Sequence, residues 1–243
     1  MNKILHTAGQ ILEATALKYR EIENASVWLT MCHSSESSEV VTTGHLNYAK
    51  GAEAWSFELE SAKTEVDPDR HNENRCKNLL IVGTDEELWL TVPHDNQIYY
   101  ADLNELKGAG LLRIPRADTV LLGAIATLLE MSRNCTKCDF KILDGYVRCK
   151  ATIPIMENGQ GNKSELIEVV IDPADLVLME VNKCSVDKDA IENSNLRWET
   201  TVSFSKWLHD EVIIRNRIQK QYRAALRKRP VVLTPEMVSM CSE

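Results

Sequence analysis

The chain has no apolar run near the roughly 18–20 residues that a bilayer-crossing helix needs. Its longest uncharged apolar stretch runs only from Thr119 to Leu129, so no integral membrane protein is expected. Positive charge is also short. The 28 Lys and Arg against 36 Asp and Glu leave a net charge of −8. Affinity for nucleic acid draws on clustered cations that release phosphate counterions, so nucleic acid is not an expected partner.

Motifs of catalysis are missing as well. The ten glycines fall mostly in turns, leaving no Walker loop, GxGxxG or GxSxG. The six histidines show no HExxH or HxH spacing. No enzyme and no cofactor is expected on this ground, although carboxylates far apart in sequence can still converge in space. Cysteines number seven, at 32, 76, 135, 138, 149, 184 and 241, an odd count without framework spacing. At least one thiol has no partner in the chain, which mildly favours a reducing compartment. The start, Met1-Asn2-Lys3-Ile4-Leu5-His6, lacks the apolar core of a secretory signal. The expectation is a cytoplasmic protein, or a periplasmic or otherwise extracytoplasmic one whose signal has been removed.

What remains is globular in character, 44% hydrophobic and 26% charged over 243 residues. A chain of this size buries about 70–75% of its unfolded surface, enough for an apolar core without staples. We read residues 1–243 as a single domain, with 212–243 a basic helical C-terminal extension.

The opening segment places Ile4, Leu5, Ala8, Ile11, Leu12, Tyr19 and Ile22 on one helical face and predicts an amphipathic helix ending near Asn24. The period then becomes two, with Val27, Leu29 and Met31 on one side and Trp28, Thr30 and Cys32 on the other. Strand patterns follow at Val40 to Tyr48, Trp55 to Leu59, Leu79 to Val82, Leu88 to Val92 and Ile98 to Tyr100. Their connections are too short to hold a crossover helix, so consecutive strands are predicted to pair antiparallel. Asp118 or Thr119 is the expected N-cap of a second helix, whose Leu121, Leu122, Ile125, Leu128 and Leu129 share a face. Further strands are predicted at Phe140 to Leu143, Tyr146 to Ile155, Leu166 to Ile171, Val177 to Val181 and Leu196 to Phe204. From Val212 to Arg229 the pattern is helical and rich in Arg and Lys.

Two constellations invite chemistry. Cys135-Thr136-Lys137-Cys138 with Cys149 downstream is a candidate zinc or thiol-redox site. A second Cys pair at knuckle spacing is missing, so these three remain weak metal candidates beside the simpler reading of ordinary thiols at a turn. Trp28, Tyr48, Trp55, Phe57, Trp89, Tyr99 and Tyr100 all fall on predicted strands. Aromatic side chains on a concave sheet face offer large apolar area at small entropic cost. The simpler alternative is the core that any antiparallel sheet needs on one face. The basic tail is either a solvated face complementing the chain's own carboxylates or a docking patch for an anionic membrane surface.

In order, these elements resemble the LolA-type outer-membrane lipoprotein carrier superfamily and its periplasmic relatives, over roughly residues 4–212. The resemblance is carried by Ile11-Leu12-Glu13-Ala14 through Tyr19-Arg20 to Val27-Trp28-Leu29, and by the stretch from Ile81-Val82-Gly83-Thr84-Asp85 to Ile98-Tyr99-Tyr100. It continues in Asp144-Gly145-Tyr146, in Val170-Ile171-Asp172-Pro173 through Leu178, and in Val202-Ser203-Phe204-Ser205-Lys206-Trp207. It implies an α+β fold, mainly antiparallel: a curved, unclosed barrel or half-barrel sheet covered by a few helices. A hydrophobic small molecule, lipid or lipoprotein acyl chain would lie between sheet and helices. On this implication Trp28, Leu46, Trp55, Phe57, Trp89, Leu90 and Tyr100 are candidate cavity wall, and Leu121, Leu122 and Ile125 candidate lid. Alternation leaves open which of Trp89 and Leu90 faces inward. An interaction, scaffold or sensor domain with a filled core is the alternative function.

Overall fold

A computed structural model describes residues 7–34, 39–52, 54–65, 73–92, 97–105, 117–154, 163–187 and 198–234. Helix α1 spans Ala8–Arg20 and begins at a capping box: Thr7 N–H donates to Gln10 Oε1 at 2.8 Å, and Gln10 N–H donates back to Thr7 Oγ1. It stops short of the expected end, and Asn24 opens a strand instead. Ile4 and Leu5 lie outside the described residues.

Six strands follow: β1 (Asn24–Ser34), β2 (Glu39–Ala49), β3 (Trp55–Glu65), β4 (Glu73–Gly83), β5 (Glu87–Val92) and β6 (Gln97–Asp102). Helix α2 (Ala117–Arg133) precedes β7 (Asp139–Leu143), β8 (Tyr146–Pro154), β9 (Lys163–Asp172), β10 (Val177–Asp187) and β11 (Thr200–Leu208). Helix α3 (Glu211–Leu226) and the short β12 (Val231–Val232) complete the described order. The expected N-cap of α2 needs correction. Helix α2 already includes Ala117, so Asp118 sits in the first turn, where the helix dipole favours a carboxylate.

All the described strands join one 12-stranded sheet in the order β12-β6-β5-β4-β3-β2-β1-β11-β10-β9-β8-β7. Consecutive neighbours are antiparallel, as the short connections require. The long-range seam β1–β11 is antiparallel too, while β12 runs parallel to β6. The sheet does not close: β7 and β12 end the order without pairing. This is the curved, unclosed α+β architecture that the carrier resemblance implies.

Register divides the residues cleanly between two faces. Val27, Leu46, Phe57, Ile81, Leu90 and Tyr99 form one continuous cross-strand row on the face packed by α1 and α2, here the inner face. The neighbouring row, Trp28, His45, Glu58, Leu80, Thr91 and Ile98, lies on the outer face. Helix α1 is anchored inside through Tyr19. Its ring meets Trp207 edge-on at 5.1 Å, its hydroxyl accepts from Leu178 N–H at 3.2 Å, and burial pushes its pKa up to about 12. Helix α3 covers β2 to β6 from outside, where Ile214, Ile218 and Ala225 pack with Val82, Trp89 and Ile98 in a second core. The outer face of β8 to β11 has polar side chains, including the 2.9 Å Arg148–Glu168 pair and Asn182 Nδ2 donating to Glu180.

Candidate functional site

The inner face is built around two aromatics of β3 that lie over glycines in neighbouring strands. A Cβ at Gly44 would approach Phe57 Cζ to 2.5 Å, and one at Gly83 would approach Trp55 Cζ2 to 2.4 Å. Only glycine leaves room for these rings, which explains why small residues interrupt β2 and the end of β4. Leu46 and Leu90 lie in the row beside them, and Leu121 and Ile125 of α2 belong to the same core. The interior is tightly filled here, with Leu46, Ile81, Leu121 and Leu128 each 0% exposed and Phe57 1%. At the rim of this core Leu79, Tyr99, Leu103, Val120 and Leu233 near β6 are only partly buried, as are Ile11, Phe140 and Trp207 on the side of α1, β7 and β11.

The Trp55 indole Nε1 lies in this interior, in a residue only 5% exposed, and has no hydrogen-bond partner among the described residues. Leaving a buried donor unmet costs about 1–3 kcal/mol.

Four of the ten expected wall and lid residues sit elsewhere. Trp28, Trp89 and Tyr100 point to the outer face, and Leu122 is 40% exposed on the outer side of α2. The physical reason lies in the strand period: Trp28 alternates with Val27 and Leu29, so it cannot share their face. Of Trp89 and Leu90, Leu90 faces inward, because α3 supplies an apolar cover for Trp89 on the other side. Trp89 meets Tyr222 of α3 at 5.4 Å and Tyr100 at 5.3 Å. Tyr100 O–H donates to Glu87 at 3.0 Å, and burial with that partner raises its pKa to about 12.

Of the three candidate metal ligands, the Cys135 side chain lies outside the described residues. Cys138 Sγ donates weakly to the carbonyls of Met131 and Asn134 at the end of α2. Cys149 is fully buried on the inner face of β8, and desolvation, helped by nearby Cys138 and Glu168, pushes its thiol up to about 12. A thiol so reluctant to ionise is a poor nucleophile. Cys149 and Cys184 are free thiols.

The outer face holds a polar cluster that sequence reasoning missed. Ser26, 1% exposed, shares a 2.8 Å hydrogen bond with His45 Nε2 and donates to Asn47 Oδ1 at 2.9 Å. Asn47, also buried, donates to Ser56 Oγ at 3.3 Å and accepts from Arg217 of α3 at 3.2 Å. His45 stacks on Trp28 with centroids 5.6 Å apart, and the Lys206 ammonium stands 5.0 Å from the Trp28 centroid. Lys206 has φ +53, where the β1–β11 register slips between Ser26 and Trp28. That left-handed backbone costs a non-glycine residue about 1–2 kcal/mol. No motif announces the group, because five separate elements contribute to it.

A polar cleft of about 480 Å³ opens between the end of α1 and the start of β1, lined by Lys18, Tyr19, Glu21, Ile22, Glu23, Asn24 and His209. Its charged rim does not suit an apolar ligand.

No family model matches the chain, and no curated protein matches it. Among solved structures, LprF from Mycobacterium bovis aligns at 12% identity and TM-score 0.41, covering 82% of this chain and 92% of its own. An uncharacterized conserved protein from Thermus thermophilus aligns at 11% identity and TM-score 0.37, covering 94% and 99%. A protein described as an outer membrane lipoprotein-sorting domain, from Vibrio parahaemolyticus, aligns at 11% and 0.30, covering 89% and 99%. These are loose superpositions over long stretches, and the fold assignment above rests on this chain's own strand order and register.

Proposed function

We propose that the chain is a non-catalytic binder of a lipid or similar apolar ligand, taken up between the inner face of β3 to β5 and α2. The observation that carries this reading is the buried Trp55 Nε1, which among the described residues has no hydrogen-bond partner, within a largely apolar core. Such a donor is already stripped of water, so a ligand bringing its own acceptor, such as an ester or carboxyl oxygen on an acyl chain, meets it at the cost of that oxygen's hydration alone. The partly buried Leu79, Tyr99, Leu103 and Val120 mark the end where apolar chain would enter. Because the remaining space is filled, uptake requires α2 to lift. Affinity is then about 25 cal/mol per Å² of ligand removed from water, less the cost of that opening.

The test is uptake of a fluorescent fatty acid ester by delipidated protein, read together with native mass spectrometry of the purified protein. Trp55→Phe is the decisive variant. It removes the donor while keeping most apolar bulk, so it is expected to leave folding intact and weaken ester uptake several-fold. No bound lipid and no uptake by the unmodified protein would end this reading.

A second reading, an interaction or scaffold domain, is favoured by one specific observation: Leu46, Ile81, Leu121 and Leu128 leave no water-sized gap around them. On this reading Trp55→Phe changes stability slightly and nothing else.

A further inference from the structure

We propose that Lys206, His45 and Arg217 form an oxyanion site on the outer face, suited to the phosphate group of a soluble ester or of a phospholipid headgroup. The site lies on the opposite face from Trp55 and does not depend on the ligand-binding reading above.

Three positively charged or chargeable groups converge here although the chain carries a net charge of −8. Each reaches the site from a different element: His45 from β2, Lys206 from the slipped segment of β11, and Arg217 from α3. Among the described residues neither Lys206 nor Arg217 has an ion-pair partner. Arg217 is held instead through Nη1 by the neutral Asn47 Oδ1, which leaves the rest of its guanidinium fork available for an anion. Lys206 rests over the Trp28 ring rather than beside a carboxylate. The one acid in the row, Glu58, accepts from Gln221 at 2.6 Å.

The supporting residues hold the donors in place. Ser26 and Asn47 are buried polar side chains whose hydrogen bonds fix the His45 ring and the Arg217 fork. Trp28 lies against both the His45 ring and the Lys206 ammonium. Burial lowers the His45 pKa, Arg217 lowers it further, Glu58 opposes the shift and Lys206 adds to it. A bound dianion would offset the two like charges and draw a proton onto the imidazole. Strain at Lys206 makes sense in these terms: the left-handed backbone sits where the strand slips, at the residue whose ammonium completes the cluster.

The experiment uses inorganic phosphate as the first probe, with the His45 imidazole resonance, assigned by His45→Gln, followed by NMR. Saturable binding that raises the His45 pKa is expected. Lys206→Gly, compatible with the left-handed backbone, and Arg217→Gln, which keeps a donor for Asn47, should each weaken binding by about ten-fold or more. The second probe is a vesicle of phosphatidylglycerol with phosphatidylcholine, against pure phosphatidylcholine. Phosphate binding without vesicle binding identifies a soluble phosphate ester, and vesicle binding lost in the two variants identifies a headgroup. Absence of both, or binding that both variants leave unchanged, overturns the proposal.

Discussion

The same type of side chain serves opposite ends on the two faces of this sheet. On the inner face Phe57 and Trp55 fill glycine gaps beneath α2 and belong to the main core. Trp28, one sheet thickness away, is half-buried and forms part of a cluster of charged groups. Between them lies an intermediate case, Trp89, outward-facing yet buried because α3 covers it. Burial here follows which helix stands over which strand, and residue type alone does not determine it.

Truncation is the sharpest way to break that comparison. Phe57→Ala should cost about 3–5 kcal/mol in urea unfolding, while Trp28→Ala should cost only about 1 kcal/mol, its cation–π contact with Lys206 being exposed. Equal losses would mean the two faces are equally packed. Next in size is the outer helix: Ile218→Ala, at 1% exposure, should cost about 2–4 kcal/mol. If far-UV and tryptophan signals then separate into two transitions, α3 is a detachable cover and not part of one cooperative unit.

Smaller changes sharpen the contrast. Gly83→Ala should lose about 1–3 kcal/mol by forcing its new methyl into the Trp55 ring. The outer cluster should also respond to pH. Because folding lowers the His45 pKa, the unfolded chain binds the proton more readily. Stability from this group is therefore full above about pH 6.5 and falls as the pH drops below it. His45→Gln should remove that part of the acid sensitivity, which thermal melts at pH 7 and pH 5 would reveal.

Much of the fold was legible in the sequence because alternation and turn length are local signals. Val27 and Leu29 against Trp28 already separated the two sides of β1, though Trp28 was expected in the cavity wall and stands on the outer face, and the short connections already required antiparallel neighbours. The ambiguity at Trp89 and Leu90 had a different cause. In β4 to β6 both alternating sets are apolar, Ile81 and Leu90 inside, Val82 and Trp89 outside, since helices stand on both faces. A tail read as a basic extension is the second cover. Nor could spacing reveal the outer cluster, which depends on a register slip at Lys206 and on where Arg217 lands.

The seam between β1 and β11 also bears on how the chain is made. Strand β1 can zip onto β2 as soon as residue 49 has emerged, but its other edge waits for residues 200–208. During synthesis that edge stays bare while some 150 residues are added, a long-range closure that slows folding and leaves a template for wrong pairing. A nascent chain arrested before residue 200 should therefore bind chaperone or aggregate, whereas one released after residue 208 should not.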